Sequence, residues 1–314
     1  MYLCCGDALY DLFVSDNALS ASALSLAGDV GGSPMNVAAG LARLGQSSGF
    51  FTKLSTDLFG ERMRTRLINE GLSLDTSLAT DRNTTLAVIE KNVDGSARYA
   101  FYTEGTADTS LTVEELPAEL PKEIRVLHFG SYSTARNPSA TALESLAQRE
   151  QKRGRFISYD PNIRLPVVPD ISIWRERFKG FSSTARFVKA SDEDIQALYG
   201  PNKEDAFVAD CIDRGVAVVC VTRGSEGASA YSADGSSVHS KGITVKVEDT
   251  VGAGDTFQTA CLYWLGTEGH VGEDGSMAGT VDLEAMLSLA LRAAAITCTR
   301  KGADLPNLAD LGLA

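Results

Sequence analysis

The 314-residue sequence is poor in positive charge: 29 lysines and arginines stand against 41 aspartates and glutamates, a formal net charge of −12. That balance excludes a protein that grips nucleic acid or an anionic membrane through its overall field, and it leaves small molecules as the expected partners. Basic residues are missing altogether before Arg43, so the start does not read as a secretory leader. The apolar runs at 216–221 and 293–298 are far too short to span a bilayer, and a cytoplasmic location is expected. Histidine is limited to His128, His239 and His270, with no HExxH, and the six cysteines form no CxxC pair. Neither zinc nor a disulfide frame is therefore expected, and the cysteines read as reduced core residues. Also missing are GxxxxGK[ST] and a GxGxxG after the first strand, which argues against a P-loop kinase and a dinucleotide oxidoreductase. No Pro/Ser/Gly-rich linker and no internal repeat divides the chain.

What is present is 44% apolar residues, enough for a large core. Short β-rich runs at 124–129, 155–159, 185–189 and 216–222 alternate with amphipathic helix-length segments. This pattern predicts an α/β fold with a mostly parallel sheet sandwiched by helices. Polar or glycine residues follow each run, namely Gly130-Ser131, Asp160-Pro161-Asn162, Ser191-Asp192 and Arg223-Gly224. They mark the carboxyl ends of the strands as the working edge. Two segments, 8–27 and 84–102, break the alternation, the second around a hairpin turn Asn92-Val93-Asp94-Gly95. The expectation is one domain, 1–314, with a small β-sheet lid from about residues 8–30 and 83–105 inserted within it.

The most informative stretch is Asp249-Thr250-Val251-Gly252-Ala253-Gly254-Asp255. An alternating run at 243–247, read as a strand, precedes it. After it, Phe257, Ala260, Cys261, Trp264 and Leu265 recur at helical spacing, and Gly266 reads as the stop. A Gly-Ala-Gly turn at a helix N-terminus offers free N–H groups and a positive dipole end to a phosphate. Asp255, in the first turn, suits either a general base beside that phosphate or a helix cap. Near the N-terminus, Gly31-Gly32-Ser33-Pro34-Met35-Asn36 opens a second helix, with Ser33 as N-cap, Pro34 at N1 and Gly45 at its end.

These motifs resemble those of the ribokinase-like, PfkB-type carbohydrate kinases, above all bacterial fructokinases, and the resemblance covers nearly the whole chain. By that resemblance Gly252, Ala253 and Gly254 form the anion hole, with Gly254 also against the nucleotide, and Asp255 is the catalytic base. Asp11, Gly31, Gly32 and Asn36 hold the sugar. Asp160-Pro161-Asn162-Ile163-Arg164 is similar to a segment of fructokinases and 2-keto-3-deoxygluconate kinases, which adds Asn162 and Arg164. Residues 97–108 resemble the fructokinase lid, which adds Arg98, Phe101 and Tyr102. Ser191, Thr222, Arg223, Gly224 and Gly227 border ATP. Asp194 approaches Mg²⁺ through water, on a motif that departs from the family's Asn-x-x-Glu at Ser191 and Asp194. Asp249, Val251 and Gly302 are expected to bind a monovalent cation such as K⁺. The implied activity is phosphorylation of a free hexose, D-fructose first, with 2-keto-3-deoxygluconate as the alternative substrate and a catalytically silent sugar sensor as the alternative of a different class. A homodimer through the lid is the expected assembly.

Overall fold

A computed structural model describes residues 1–15, 23–91 and 97–313; the expected turn at 92–95 lies outside them. In chain order the elements are β1 (Tyr2–Cys5), β2 (Leu9–Ser15), β3 (Ser25–Gly31), α1 (Ser33–Arg43), β4 (Ser48–Phe51), β5 (Lys53–Ser55), α2 (Leu58–Asn69), β6 (Leu78–Thr80), β7 (Thr85–Lys91) and β8 (Ala97–Tyr102). They continue with β9 (Val126–Gly130), α3 (Ser139–Lys152), β10 (Phe156–Asp160), α4 (Ile171–Ser182), β11 (Phe187–Ser191), α5 (Asp192–Tyr199), α6 (Glu204–Asp213), β12 (Val218–Thr222), β13 (Ala228–Ser232), β14 (Ser237–Ser240), α7 (Ala253–Thr267) and α8 (Leu283–Cys298).

Eight strands form the main sheet in the order β14-β13-β12-β11-β10-β9-β1-β4. The six from β4 to β12 pair in parallel, while β13 and β14 add on antiparallel. Parallel strands covered on both faces carry continuous apolar runs, because each successive side chain must find a core. Tyr2 and Cys4 of β1 enter the core under α1, α7 and α8, whereas Leu3 and Cys5 enter the core under α3, α4 and α6. The expected mostly parallel sheet between helix layers is thus the observed one. A second sheet, in the order β3-β2-β7-β8, stands off the main body. In it β2 pairs antiparallel with β3 and parallel with β7, and β7 pairs antiparallel with β8.

Three local expectations are corrected. The run at 243–247 alternates like a strand but forms none: Ile243 and Val247 are exposed and no neighbouring strand meets it among the described residues. Gly266 does not end α7, which runs on to Thr267; it packs against the Tyr2 hydroxyl, where a Cβ would stand 1.8 Å away. Ser33 is not the N-cap of α1, a position held by Gly32, and its hydroxyl is used elsewhere.

Candidate active site

The working edge carries a cleft of about 450 Å³ between the main sheet and the second sheet. Its floor is the N-terminus of α7. Gly252 adopts φ 79°, the left-handed conformation that turns the chain from Val251 into the helix. The Gly252 carbonyl then accepts from both the amide and the hydroxyl of Thr256, at 2.8 Å each. The Ala253 amide donates to the Thr250 carbonyl at 3.2 Å. Gly252, Gly254 and Asp255 all line the cleft.

Asp255 is buried, and its carboxylate is bound from the other side of the cleft by the first turn of α1. Ser33 Oγ donates to Oδ1 at 2.7 Å and Asn36 Nδ2 donates to Oδ2 at 2.8 Å. Two helix N-termini, the positive ends of two dipoles, therefore meet at one carboxylate. Gly32, at φ 128°, makes this approach possible, since a Cβ there would stand 2.4 Å from the Asp7 carbonyl. Gly31 closes β3 directly behind Asp11, with the site of its missing Cβ 2.4 Å from Oδ2.

Asp11 lines the cleft from β2, and burial pushes its carboxyl up to about 6 against the opposing pull of Arg164. Asn162, held at φ 40°, and Arg164 line the cleft on the loop after β10. Beneath the floor, Lys189 of β11 donates from Nζ to Asp160 Oδ2 at 2.8 Å, both side chains being almost wholly buried. Burial pushes Asp160 up to about 6 while Lys189 pulls it back. Burial opposes the Lys189 charge too, but Asp160, Asp194 and Asp255 outweigh it and raise its pKa. Nζ reaches within 3.3 Å of where a Gly254 Cβ would lie, so a cation stands at the Gly252–Gly254 turn.

On the second sheet the side chains alternate. Leu9, Asp11, Phe13, Ile89, Tyr99 and Phe101 face the cleft, with Tyr99 stacked on Phe101 at 5.9 Å between ring centroids. Arg98 and Tyr102 do not: Arg98 is exposed 4.0 Å from Glu90, and Tyr102 lines a groove on the sheet's other face. Period two puts residues 98 and 102 opposite 99 and 101.

Of the remaining expected residues only Val251 lines the cleft; Ser191, Asp194, Thr222, Arg223, Gly224 and Gly227 lie at or just after the ends of β11 and β12. Ser191 caps α5, its hydroxyl and amide bonded to Asp194 Oδ2 at 2.7 and 2.9 Å, and Asp194 Oδ1 accepts from the Ile163 amide at 2.7 Å. Asp194 is thus occupied by protein donors, and among the described residues no cluster of three His, Cys, Asp or Glu suits a metal ion. Thr222 ends β12 beside Ser191. Arg223 pairs with Glu204, which Tyr231 also bonds, and Gly224 and Gly227 flank a single 3₁₀ turn. Asp249, Val251 and Gly302 do come together, Asp249 accepting from the Val251 amide at 3.1 Å and the Gly302 amide at 3.0 Å.

Lys189, Asp160, Ser33 and Tyr99 were absent from the residues expected to act. A lysine inside the apolar run Phe187-Val188-Lys189-Ala190 is itself a signal, because a buried lysine requires a partner. Tyr99 was readable from its spacing to Phe101.

Residues 2–310 match the family model described as pfkB family carbohydrate kinase. A fructokinase of Rhizobium leguminosarum bv. trifolii is 38% identical over 263 residues, 83% of this chain and 78% of the relative. A double mutant of the fructokinase of Vibrio cholerae O395, solved with fructose, ADP and potassium ion bound, superposes with a TM-score of 0.83 at 26% identity, covering 99% of this chain and 96% of that one. The fructokinase of Xylella fastidiosa with bound ATP has the same fold, with a TM-score of 0.84 at 24% identity over 99% of this chain and 96% of that one. The family match and the fructokinase relatives define a phosphotransferase with an alcohol group as acceptor. The chain belongs to the pfkB family of carbohydrate kinases.

Proposed function

We propose that the chain transfers the γ-phosphoryl group of Mg²⁺·ATP to the 6-hydroxyl of D-fructose. The observation that carries this reading is Asp255, fixed by Ser33 and Asn36 between the Gly252–Gly254 turn and Asp11. A base in that position takes the proton of a hydroxyl held by Asp11 as it attacks a phosphate lying on the turn. The turn fits a phosphate because glycine leaves its backbone open to close approach, and Lys189 supplies the charge. Ser191, Thr222, Arg223, Gly224 and Gly227 would border the nucleotide. Magnesium would supply charge neutralisation at the phosphates, and Asp194 would meet it through water alone. The Asp249, Val251 and Gly302 cluster would hold K⁺ through its carbonyls. That the Vibrio cholerae relative was solved with potassium supports this.

The second sheet would act as a lid that excludes water. Among the described residues its cleft-lining side chains carry no cation, and the Arg164 guanidinium on the loop after β10 acts electrostatically on Asp11. This favours a neutral hexose over the carboxylated 2-keto-3-deoxygluconate. The outer strands β3 and β8 have free edges, with Leu24, Leu26 and Tyr102 exposed nearby, which supports pairing with a second copy through the lid. No helix among the described residues is long and apolar enough to cross a membrane. The free cysteines and the use of ATP support a cytoplasmic setting.

The test is a coupled ADP-release assay with Mg²⁺·ATP against fructose, 2-keto-3-deoxygluconate, ribose, glucose and adenosine, run beside Asp255→Asn. Fructose-dependent turnover that falls by about 10²-fold or more in the variant is the expected result. Binding of a sugar without turnover would leave a sensor in place of a kinase.

A further inference from the structure

Asp108 is 3% exposed and lies behind the cleft, on the segment that follows β8. Donors reach its carboxylate from several elements. Thr85 Oγ1, on the first residue of β7, donates to Oδ1 at 2.5 Å. Tyr132 Oη donates to Oδ2 at 2.5 Å from the main body, where Tyr132 also lines the cleft. Thr106 Oγ1 lies 3.2 Å from Oδ1, 2.6 Å from Thr85 Oγ1 and 3.1 Å from the carbonyl of Thr103, the residue after β8. A carboxylate offers about four acceptor sites, and here one residue draws on nearly all of them.

Two strands of the second sheet therefore meet this buried group, β7 directly through Thr85 and β8 through Thr106 and Thr103, and β2 and β3 join them through the pairing of β2 with β7 and of β3 with β2. Those strands carry the cleft-facing side chains: Asp11 and Phe13 on β2, Ile89 on β7, and Tyr99 and Phe101 on β8. Hydrogen bonds to a buried charge are among the stronger ones in a fold, and removing the acceptor leaves several donors unmatched at once.

We propose that Asp108 is a positioning residue for the sugar: it sets the angle at which the second sheet leaves the body, and so where Asp11 and Phe101 stand over the cleft. It does not touch the substrate. This inference rests on the sugar-kinase reading above.

The test compares wild type, Asp108→Asn and Thr85→Val for fructose KM, fructose Kd by calorimetry, nucleotide Kd and thermal midpoint. Asparagine keeps the size but replaces an accepting oxygen with an amide that cannot accept. Fructose KM and Kd should rise by about 10-fold or more in Asp108→Asn and by a smaller factor in Thr85→Val, while nucleotide Kd holds. The double variant should be no worse than Asp108→Asn alone, because both remove the same bond. Unchanged fructose affinity in both single variants overturns the proposal, as does a parallel loss of nucleotide affinity, which would mean general loosening. Should Asp108→Asn fail to fold, Thr85→Val decides. A wild-type protein that binds fructose without turnover counts against the kinase reading, and the shift in Kd still decides the role of Asp108.

Discussion

Asn36 Nδ2 donates to Asp255 Oδ2 at 2.8 Å across 219 residues of sequence, so the helix proposed to border the sugar also holds the carboxylate proposed as the base. Asn36→Ala removes one of two side-chain donors and should lower kcat by about 10-fold, the worth of a hydrogen bond to a charged group. Asn36→Asp should be worse, because two carboxylates at that distance compete for a proton. The acid limb of its pH–rate profile should move to higher pH. Coupled assays between pH 5.5 and 8.5 read both effects, and an unmoved acid limb would count against a direct link between the two side chains.

The two faces of β8 should separate cleanly in kinetics. Tyr99→Ala and Phe101→Ala each strip an aromatic from the cleft, and each should raise the sugar KM by about 10-fold, in line with the loss of apolar area that a bound sugar would cover. Arg98→Ala, on the opposite face, should leave it unchanged. Steady-state KM values across the three variants are the measurement. Equal effects from Arg98 and Tyr99 would mean that the lid side chains do not alternate toward the sugar as described.

The same alternation shows what the sequence could and could not convey. Residues 98 and 101 are separated by an odd number, so parity alone forbids Arg98, Phe101 and Tyr102 from sharing a face of one strand; resemblance carried all three to the sugar. The parallel strands were legible because burial on both faces writes them as mostly apolar runs, interrupted by the buried polar residues His128, Ser158 and Lys189. Their starts were read one or two residues early, since Ile124, Arg155, Ala185 and Val216 lead in before pairing begins. The run at 243–247 has the period of a strand but lacks a neighbour, and pairing is not a local property. The Gly252–Asp255 turn is local and could be read. The bonds Ser33–Asp255 and Lys189–Asp160 join distant segments, and only the fold brings them together.

Stability should fall as pH rises through neutrality. Burial, then the charge of Asp108, pushes Asp7 up to about 7, and burial pushes Asp11 and Asp160 up to about 6. In the unfolded chain these groups titrate near 4. The folded state therefore binds their protons more tightly, and their contribution is complete below pH 4 and lost as pH climbs through 6 to 7. Carboxylates held low, such as Asp57 and Glu70, act in the opposite sense only below about pH 4.5, and His128, which burial holds down to about 3, offsets part of the trend below about pH 6.5. The thermal midpoint of the ligand-free protein should be about 5 °C higher at pH 5.5 than at pH 8. Asp7→Asn should narrow that gap. A midpoint that rises between those two pH values would refute the assignment.

The two glycines of the phosphate turn should fail in different ways. At Gly252 the backbone is left-handed, and an added Cβ would stand 2.8 Å from the Ala303 Cβ and 2.9 Å from its Cα. Gly252→Ala should thus lose stability, by about 1–2 kcal/mol from the backbone conformation alone, and activity with it. Gly254 is helical and its missing Cβ would meet only the Lys189 Nζ, at 3.3 Å. Alanine is the better helix former by about 1 kcal/mol, so Gly254→Ala should hold or raise the thermal midpoint. Its methyl group nevertheless stands between Lys189 and the place proposed for the transferred phosphate, and kcat should fall by about 10-fold or more for the loss of one charge-stabilising contact. Calorimetry and the coupled assay on the same preparations give both numbers. A Gly254→Ala protein with undiminished kcat would mean that the phosphate does not lie on this turn, because the only thing the substitution removes is the open approach to it.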